Sequence, residues 1–494
     1  MNIPYLSLIV FLPLVGAILI ALMPRPGDRT VKLTAALFAL ASLALSIVVF
    51  LGFDRSVPVG AGIQPQFEEI ASWIPAIKVS YHLGVDGISL PMLGLTTFLG
   101  FLSVLVSWKI KLRVKEYFIW LLLLETGILG VFTALDLVLF FLFWEVELIP
   151  MYMLISIWGT GRKEYSAIKF VIYTLVGSAL MLAGILSLYF LTGSFDMTRL
   201  LMTGAGAAAI SIFFLIFAAF AIKLPVFPLH TWLPDAHTDA PTAVSVILAG
   251  VLLKMGGYGM IRISVSIFPD VAHRFAPILV IFAIVSVLYG AVVTVRQTDL
   301  KRLIAYSSVS HMGYVLLGIF ALSQVSLTGA ALQMFSHGVV TGLLFAMVGL
   351  VYDKTHTRSI PRLGGLARQM PIIVVVFSVA GLASLGLPGT SGFAAEFLVF
   401  VGSFSSTAFD GIRFYVILGV AGIVVTAGYI LWMLQRVFYG PPLDAYNGVG
   451  DADTLERVTI FSLVAAIMLI GIYPRLLTDI INLGVIPVVS RLGG

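Results

Sequence analysis

The sequence predicts an all-α polytopic membrane protein of about fourteen transmembrane helices, built as two inverted five-helix repeats whose seventh and twelfth helices are broken. Three observations carry this prediction. Of 494 residues, 60% are hydrophobic and only 11% charged, with a mean hydropathy of +1.08, far more apolar than a soluble chain can hide in a core. Long apolar spans recur along the whole chain, and lysines and arginines gather in alternate loops between them. Two spans are too long for a bilayer and carry proline close to a charge.

A hydrocarbon core needs about 20 helical residues, and apolar stretches near that length sit at 4–23, 31–52, 88–107, 116–133, 135–157, 167–192, 206–233, 242–264, 275–295, 303–320, 326–350, 371–404, 411–435 and 458–480. The first, around Tyr5 to Leu22, lacks a basic leader and a small-residue cleavage pattern, so it reads as a helix of the mature protein. Alternate loops hold Arg25, Arg29 and Lys32; Lys109, Lys111, Arg113 and Lys115; Arg162 and Lys163; Arg296, Lys301 and Arg302; and Lys354, Arg358, Arg362 and Arg368. The opposite loops and their edges hold little beyond Lys78, Arg199, Arg262, Arg274 and Arg413. The positive-inside rule then places both termini on the outer side of a multi-pass membrane protein.

An ideal helix over 371–404 would run ~51 Å and one over 206–233 ~42 Å, both longer than the hydrocarbon layer is thick. Proline decides for breaks: Pro225 and Pro228 free backbone carbonyls beside Lys223, and Pro388, Gly389 and Gly392 precede Glu396. Interrupted helices that carry a charge point to an ion site in a repeat-built transporter. The repeat is legible in "AIKFVIYTLVGSALM" from Ala167 against "ALQMFSHGVVTGLLF" from Ala331, and in "AGVLLKMGGY" from Ala249 against "AGIVVTAGY" from Ala421. Helices four to eight match nine to thirteen, and an odd number of helices forces the two units to lie inverted. The expected units are 1–112 (N-terminal helices and a long outer loop), 113–265 and 266–440 (the repeats), and 441–494 (a C-terminal loop and the last transmembrane helix).

Charges inside these spans are the candidate site. Lys254 lies about ten residues from either end of its span, whereas a lysine stem reaches water over roughly one helical turn. Lys223 stands beside a break that supplies polar backbone and room for water. Glu145 is in mid-span, and Glu147 points ~200° away from it around the helix, so the two do not share a face. Making or breaking a buried Glu–Lys contact changes the lysine's proton affinity by orders of magnitude, which is the property of a switch. Glu396 is expected to take in the second break the place that Lys223 holds in the first. Glu125 is a further carboxylate inside a span. His311 and His337 fall inside consecutive helices, where a neutral imidazole both donates and accepts a proton.

Other chemistries lack support in the sequence. With no cysteine, disulfides and Cys-ligated Fe–S clusters are excluded. The net charge of +5 is dispersed over short loops rather than gathered in a nucleic-acid-binding patch. The stretch "PLHTWLPDAHTDAPT" has His230, Asp235, His237 and Asp239 but no metal-ligand spacing, and reads as a structural turn. One histidine per helix is a poor basis for a bis-histidine haem.

The segments "FFLFWEVELIPMYMLISIWG", "KLPVFPLHTWLPDAHTDAPTAVSVILAGVLLKMGGYGMIR", "LIAYSSVSHMGY" and "LPGTSGFAAEF" together resemble the antiporter-like membrane subunits of complex I, the proton-pumping NADH:quinone oxidoreductase. The resemblance covers nearly the whole chain, and the glutamate at 396, where sister subunits usually have lysine, is most similar to the subunit M or subunit 4 type. It implies that Glu145 modulates Lys223, that Lys254 relays protons along the membrane midplane with His311 and His337, and that Glu396 hands them outward. It further implies a subunit of a redox translocase with no cofactor in this chain, flavin, Fe–S clusters and quinone belonging to other membrane and peripheral subunits. The implied location is the bacterial inner membrane, with the thylakoid as alternative. Similar motifs occur in multi-subunit sodium/proton antiporters, ferredoxin-driven photosynthetic complex I and membrane-bound hydrogenases.

Overall fold

The computed structural model describes residues 3–56 and 62–493. The outermost residues, on which the expected sidedness of the termini falls, lie outside the described residues. Among the described residues, twelve helices are long and apolar enough to cross a membrane, and two interrupted pairs complete the expected fourteen crossings. In order these are α1 (Tyr5–Leu22), α2 (Asp28–Gly52), α3 (Ser89–Val106), α4 (Val114–Thr133), α5 and α6 (Leu137–Val146, Leu148–Trp158), α7 (Lys163–Thr192), and α8 and α9 (Ala207–Lys223, Trp232–Asp239). The eighth crossing is α10 and α11 (Thr242–Ile247, Leu253–Gly259), each followed by a π-helical segment. Then come α12 (Pro269–Val295), α13 (Leu300–Phe320), α14 (Gln324–Thr355), α15 and α16 (Pro371–Ser384, Ser391–Phe404), α17 (Ile412–Phe438) and α18 (Thr454–Ile472).

Each set of five crossings from α4 and from α12 has its fourth member interrupted. The two sequence echoes fall on the third and fifth members of each set, as a repeat requires. Helix starts follow local chemistry: Asp136 accepts from the amides of Val138 and Leu139 (2.9 and 3.2 Å) ahead of α5. Ser323 and Asp453 form capping boxes ahead of α14 and α18.

Burial separates centre from rim. The Thr242–Val265 crossing is 100% buried within the chain, while α18 is 28% buried, so the eighth crossing is the axis around which the others pack. Its glycines permit this: a Cβ on Gly256 would lie 2.7 Å from the Phe220 carbonyl oxygen and 2.8 Å from the Leu224 nitrogen, so only glycine lets the eighth crossing meet the end of α8.

Three features depart from the sequence reading. The long loop before α3 contains an antiparallel hairpin, β1 (Gln66–Ile74) and β2 (Val79–Val85); Glu69 accepts from the Leu6 amide (2.8 Å) and so caps α1 from a distance. The last expected span, 458–480, runs through Pro474, where the helix cannot continue; α18 stops at Ile472 and α19 (Arg475–Arg491) follows. Arg491 donates to the carbonyls of Leu200 and Ser266 (both 3.1 Å), tying α19 to loops on the face opposite the basic ones. The fifth crossing is bent at Glu147, because Pro150 has no amide hydrogen to give the Val146 carbonyl.

Candidate functional site

Helix α8 ends at Lys223 because Pro225 follows. The break exposes polar backbone, and the structure accounts for part of it: the Trp232 indole donates to the Ile222 carbonyl (2.9 Å), and the Val226 amide to Ala221 (2.9 Å). The Lys223 ammonium, 1% exposed, thus sits at the negative end of a helix, which favours a cation. It lies 5.2 Å from the Trp144 ring centroid and 5.4 Å from that of Phe170.

Lys223 donates to Glu147, which is wholly buried at the bend of the fifth crossing, at the start of α6 where the helix favours an anion. The resemblance had assigned this place to Glu145. Because the two carboxylates point ~200° apart, one can face the centre and the other must face the edge. Glu145 is the edge residue: it is half-buried, shares a face with the exposed Leu142 and Ile149, and has one enclosed oxygen without a hydrogen bond.

The second centre gathers four of the expected residues. Lys254 follows the first π-helical segment, whose wider turn leaves the Ala249 carbonyl to accept from the ammonium. Lys254 Nζ also lies 2.7 Å from His337 Nδ1. His337 and His311 have ring centroids 5.7 Å apart. His311 Nδ1 is 3.0 Å from Glu396 Oε1, which also accepts from Gln333 (3.2 Å); His311 Nε2 is 3.2 Å from the Ser384 hydroxyl. A cavity of about 10 Å³ lies among His311, His337, Ser384 and Glu396, the size of a single water site. His337 Nε2 is buried without a hydrogen-bond partner.

Glu396 does not occupy the position of Lys223. Aligning the two breaks on their Leu-Pro step sets Gly386 against Lys223, and Glu396 comes from the second turn of the following half-helix. Its carboxylate reaches back over Gly386, where a Cβ would lie 3.3 Å from Oε2; the φ of +81° at Gly386 also requires glycine. The second repeat therefore exchanges a lysine before the break for a carboxylate after it.

The sequence reading missed His237. Two other members of its turn are structural as expected, Asp235 pairing with Lys169 (2.7 Å) and Asp239 accepting from Ser166 (2.6 Å). His237, however, is wholly buried, stacks on Phe345 (centroids 4.5 Å), and has no partner on either ring nitrogen. It lies within electrostatic range of Lys254, Lys301 and His337. Among the described residues no hydrogen bond joins Lys223 to Lys254; His237 belongs to α9, the half-helix that follows the break after Lys223. The sequence signal was its position as the sixth residue of the half-helix after a charged break. Glu125 is buried in α4 with Oε1 unpartnered, its carboxylate packed where a Cβ on Gly100 of α3 would overlap it, and among the described residues no hydrogen bond or ion pair joins it to either centre. Among the described residues no group of three or more His, Asp or Glu could hold a metal ion.

Comparison with known proteins agrees with this architecture. Residues 134–426 match the family model described as the transmembrane region of NADH:quinone oxidoreductase and Mrp antiporter. The chain is 42% identical to NADH-quinone oxidoreductase subunit M of Rhodobacter capsulatus, over 97% of this chain and 94% of that protein. It is 44% identical to NAD(P)H-quinone oxidoreductase chain 4 of Synechococcus elongatus, over 97% and 90%. Among solved structures, a chain of respiratory complex I from Thermus thermophilus superposes with a TM-score of 0.88 at 30% identity, covering 99% of this chain and 100% of that one. A chain of the Mrp complex from Dietzia, at 21% identity and a TM-score of 0.86 over the whole of both, shares the fold. The broken helices, the buried lysines and these relatives together show that the chain belongs to the NADH:quinone oxidoreductase/Mrp antiporter transmembrane family.

Proposed function

We propose that this chain is the proton-translocating membrane subunit of an NADH:quinone oxidoreductase, moving protons through its buried glutamates, lysines and histidines while quinone reduction in neighbouring subunits supplies the drive. The observation that carries the reading is that two buried lysines lie near the middle of their crossings, each bound to a group that can itself change protonation: Lys223 to Glu147 and Lys254 to His337.

The magnitudes support a switch. Moving one charge against about 100 mV takes ~2.3 kcal/mol. Removing one partner from a buried ion pair costs about 3–5 kcal/mol, because the remaining charge stays in a dry site. Opening the Glu147–Lys223 contact therefore involves an energy of the same order as moving a charge against the membrane potential. Lys254 then passes a proton to His337 Nδ1; His337, whose Nε2 has no partner, lines the one-water cavity shared with His311 and Glu396, and Glu396 delivers the proton outward. His237, with both ring nitrogens free, fills the gap between the centres through water. Glu145 and Glu125 serve as secondary carboxylates on the flanks. The same reading divides the chain at 1–112, 113–265, 266–440 and 441–494, with α19 added to the last unit.

No redox cofactor is assigned to this chain; flavin, Fe–S clusters and quinone belong to partner subunits, membrane and peripheral. Both termini lie on the outer side of a bacterial inner membrane. A thylakoid location is the second reading, favoured by the 44% identity to the Synechococcus protein.

The test is to isolate the tagged chain in its native assembly in mild detergent, identify its partners by mass spectrometry and assay NADH oxidation by quinone. Flavin and Fe–S subunits with NADH activity are expected. Small membrane partners alone would make it a sodium/proton antiporter subunit, and Fe–S partners without NADH activity would move it to the ferredoxin-driven or hydrogenase relatives.

A further inference from the structure

Two adjoining cavities lie away from the proposed proton line. On the face of the basic loops, a cavity of about 530 Å³ opens between α3, the start of α10, α14 and α18, with Leu105, Ile110, Leu350, Leu455 and Ile460 among its walls. A second of about 570 Å³ adjoins it and is lined by Lys32, Lys109, Lys111, Lys354, His356 and Asp353, together with Trp108. Trp108, Lys109 and Asp353 line both, so the two form one amphiphilic space: apolar walls from α3 and α14, the Asp453 and Glu456 carboxylates on the α18 side, and a predominantly cationic mouth.

The charges at the mouth are unevenly satisfied. Lys109 is held by Asp453 (2.9 Å) and Glu456, and Lys354 lies 3.6 Å from Glu456. Lys32 and Lys111 form no ion pair among the described residues, and Asp353 is the acidic residue of the mouth itself. Two free ammonium groups beside a half-buried tryptophan, above an apolar slot at the end of a membrane helix, match the headgroup, interface and acyl region of a lipid in turn. The inner leaflet carries the anionic lipids that such a mouth attracts.

We propose that this space binds an anionic glycerophospholipid, its phosphate between Lys32 and Lys111 and one acyl chain in the cavity between α3, α14 and α18. The lipid would hold α18, a rim helix, against the buried α14. The cationic excess at the mouth, Lys32, Lys109, Lys111 and Lys354 against Asp353, selects an anionic lipid over a zwitterionic or uncharged one.

The test uses the native assembly containing the full chain, reconstituted in phosphatidylcholine vesicles with a photoreactive phosphatidylglycerol or phosphatidylcholine probe whose diazirine is on the acyl chain. Crosslinked peptides are mapped by mass spectrometry. The phosphatidylglycerol probe is expected to label the walls near Leu105, Trp108 and Leu455 in preference to the phosphatidylcholine probe. Each lysine near the membrane surface gives about a fivefold preference for anionic lipid, so Lys32→Gln/Lys111→Gln should reduce it roughly 30-fold. Lys32→Arg/Lys111→Arg should keep it. Equal labelling by the two probes, labelling unchanged in the glutamine variant, or no labelling of the cavity walls, as an aqueous vestibule would give, overturns the proposal.

Discussion

The pairing of Lys223 with Glu147 rather than Glu145 makes a prediction that separates two carboxylates only two residues apart. Lys223 and Glu147 are 1% and 0% exposed, so neutralising either alone strands a charge in a dry site, at about 3–5 kcal/mol. Replacing both removes the stranded charge, and such double replacements are close to neutral or stabilising. Lys223→Met alone should therefore lower the thermal midpoint of the assembly by roughly 6–10 °C, at about 2 °C per kcal/mol for a long chain. Adding Glu147→Gln should restore most of the midpoint, whereas adding Glu145→Gln should restore little, since Glu145 is half-buried at the edge of the chain and Lys223 does not donate to it. The assay is the amount of assembled subunit on a native gel after graded heating, with proton pumping measured in parallel. Both double variants should fail to pump, because the lysine proposed to hold the proton is gone. Rescue by Glu145→Gln with none by Glu147→Gln would refute the pairing.

Other expectations follow from single contacts. Gly386→Ala should push the Glu396 carboxylate aside and add about 1–2 kcal/mol of left-handed backbone strain, cutting pumping several-fold; Gly428→Ala, with open space around its Cβ position, should pump at the parental rate. Gly100→Ala drives a methyl into the Glu125 carboxylate; if Glu125 serves only as a flank, assembly should fall while pumping per assembled complex holds, which quantitative gels beside pumping assays will read. Asp86, just ahead of α3, is pushed up by burial, but the Arg262 guanidinium at 2.6 Å outweighs this and holds its carboxyl below the usual range. A lowered carboxyl contributes stability that is present above its unfolded pKa of about 3.9 and lost as pH falls through the folded value. Thermal midpoints measured against pH should therefore drop in the parent below about pH 4, and Asp86→Asn should begin lower at neutral pH and show a weaker drop.

The helix count, the two breaks and the four charged or imidazole groups of the second centre were legible because each rests on a local rule: an apolar length, a proline, a charge far from any helix end. What was not legible depended on which way a helix turns. Glu145 and Glu147 are equivalent in hydropathy, and only the bend at Pro150 and the packing of the fifth crossing against α8 decide which one meets Lys223. Glu396 matched Lys223 by being near a break, yet it lies on the other side of it, reachable only because Gly386 leaves the space. His237 read as part of a turn, since its lack of partners is a fact of three-dimensional packing. The hairpin β1–β2 alternates too weakly to stand out in a polar loop, and α19 was joined to α18 in one apolar span although Pro474 marked their boundary.

The central claim is that protons cross through the buried lysine line of this chain. Its most direct test is NADH-driven acidification in proteoliposomes bearing the native assembly, comparing the parent with Lys254→Ala at matched assembly. Lys254 is wholly buried, and its contact with His337 is the hydrogen-bonded step from the lysine toward Glu396. Its loss should reduce the translocation rate at least about tenfold, the cost of roughly 1.4 kcal/mol or more on the relay. Acidification at the parental rate in that variant would contradict the account.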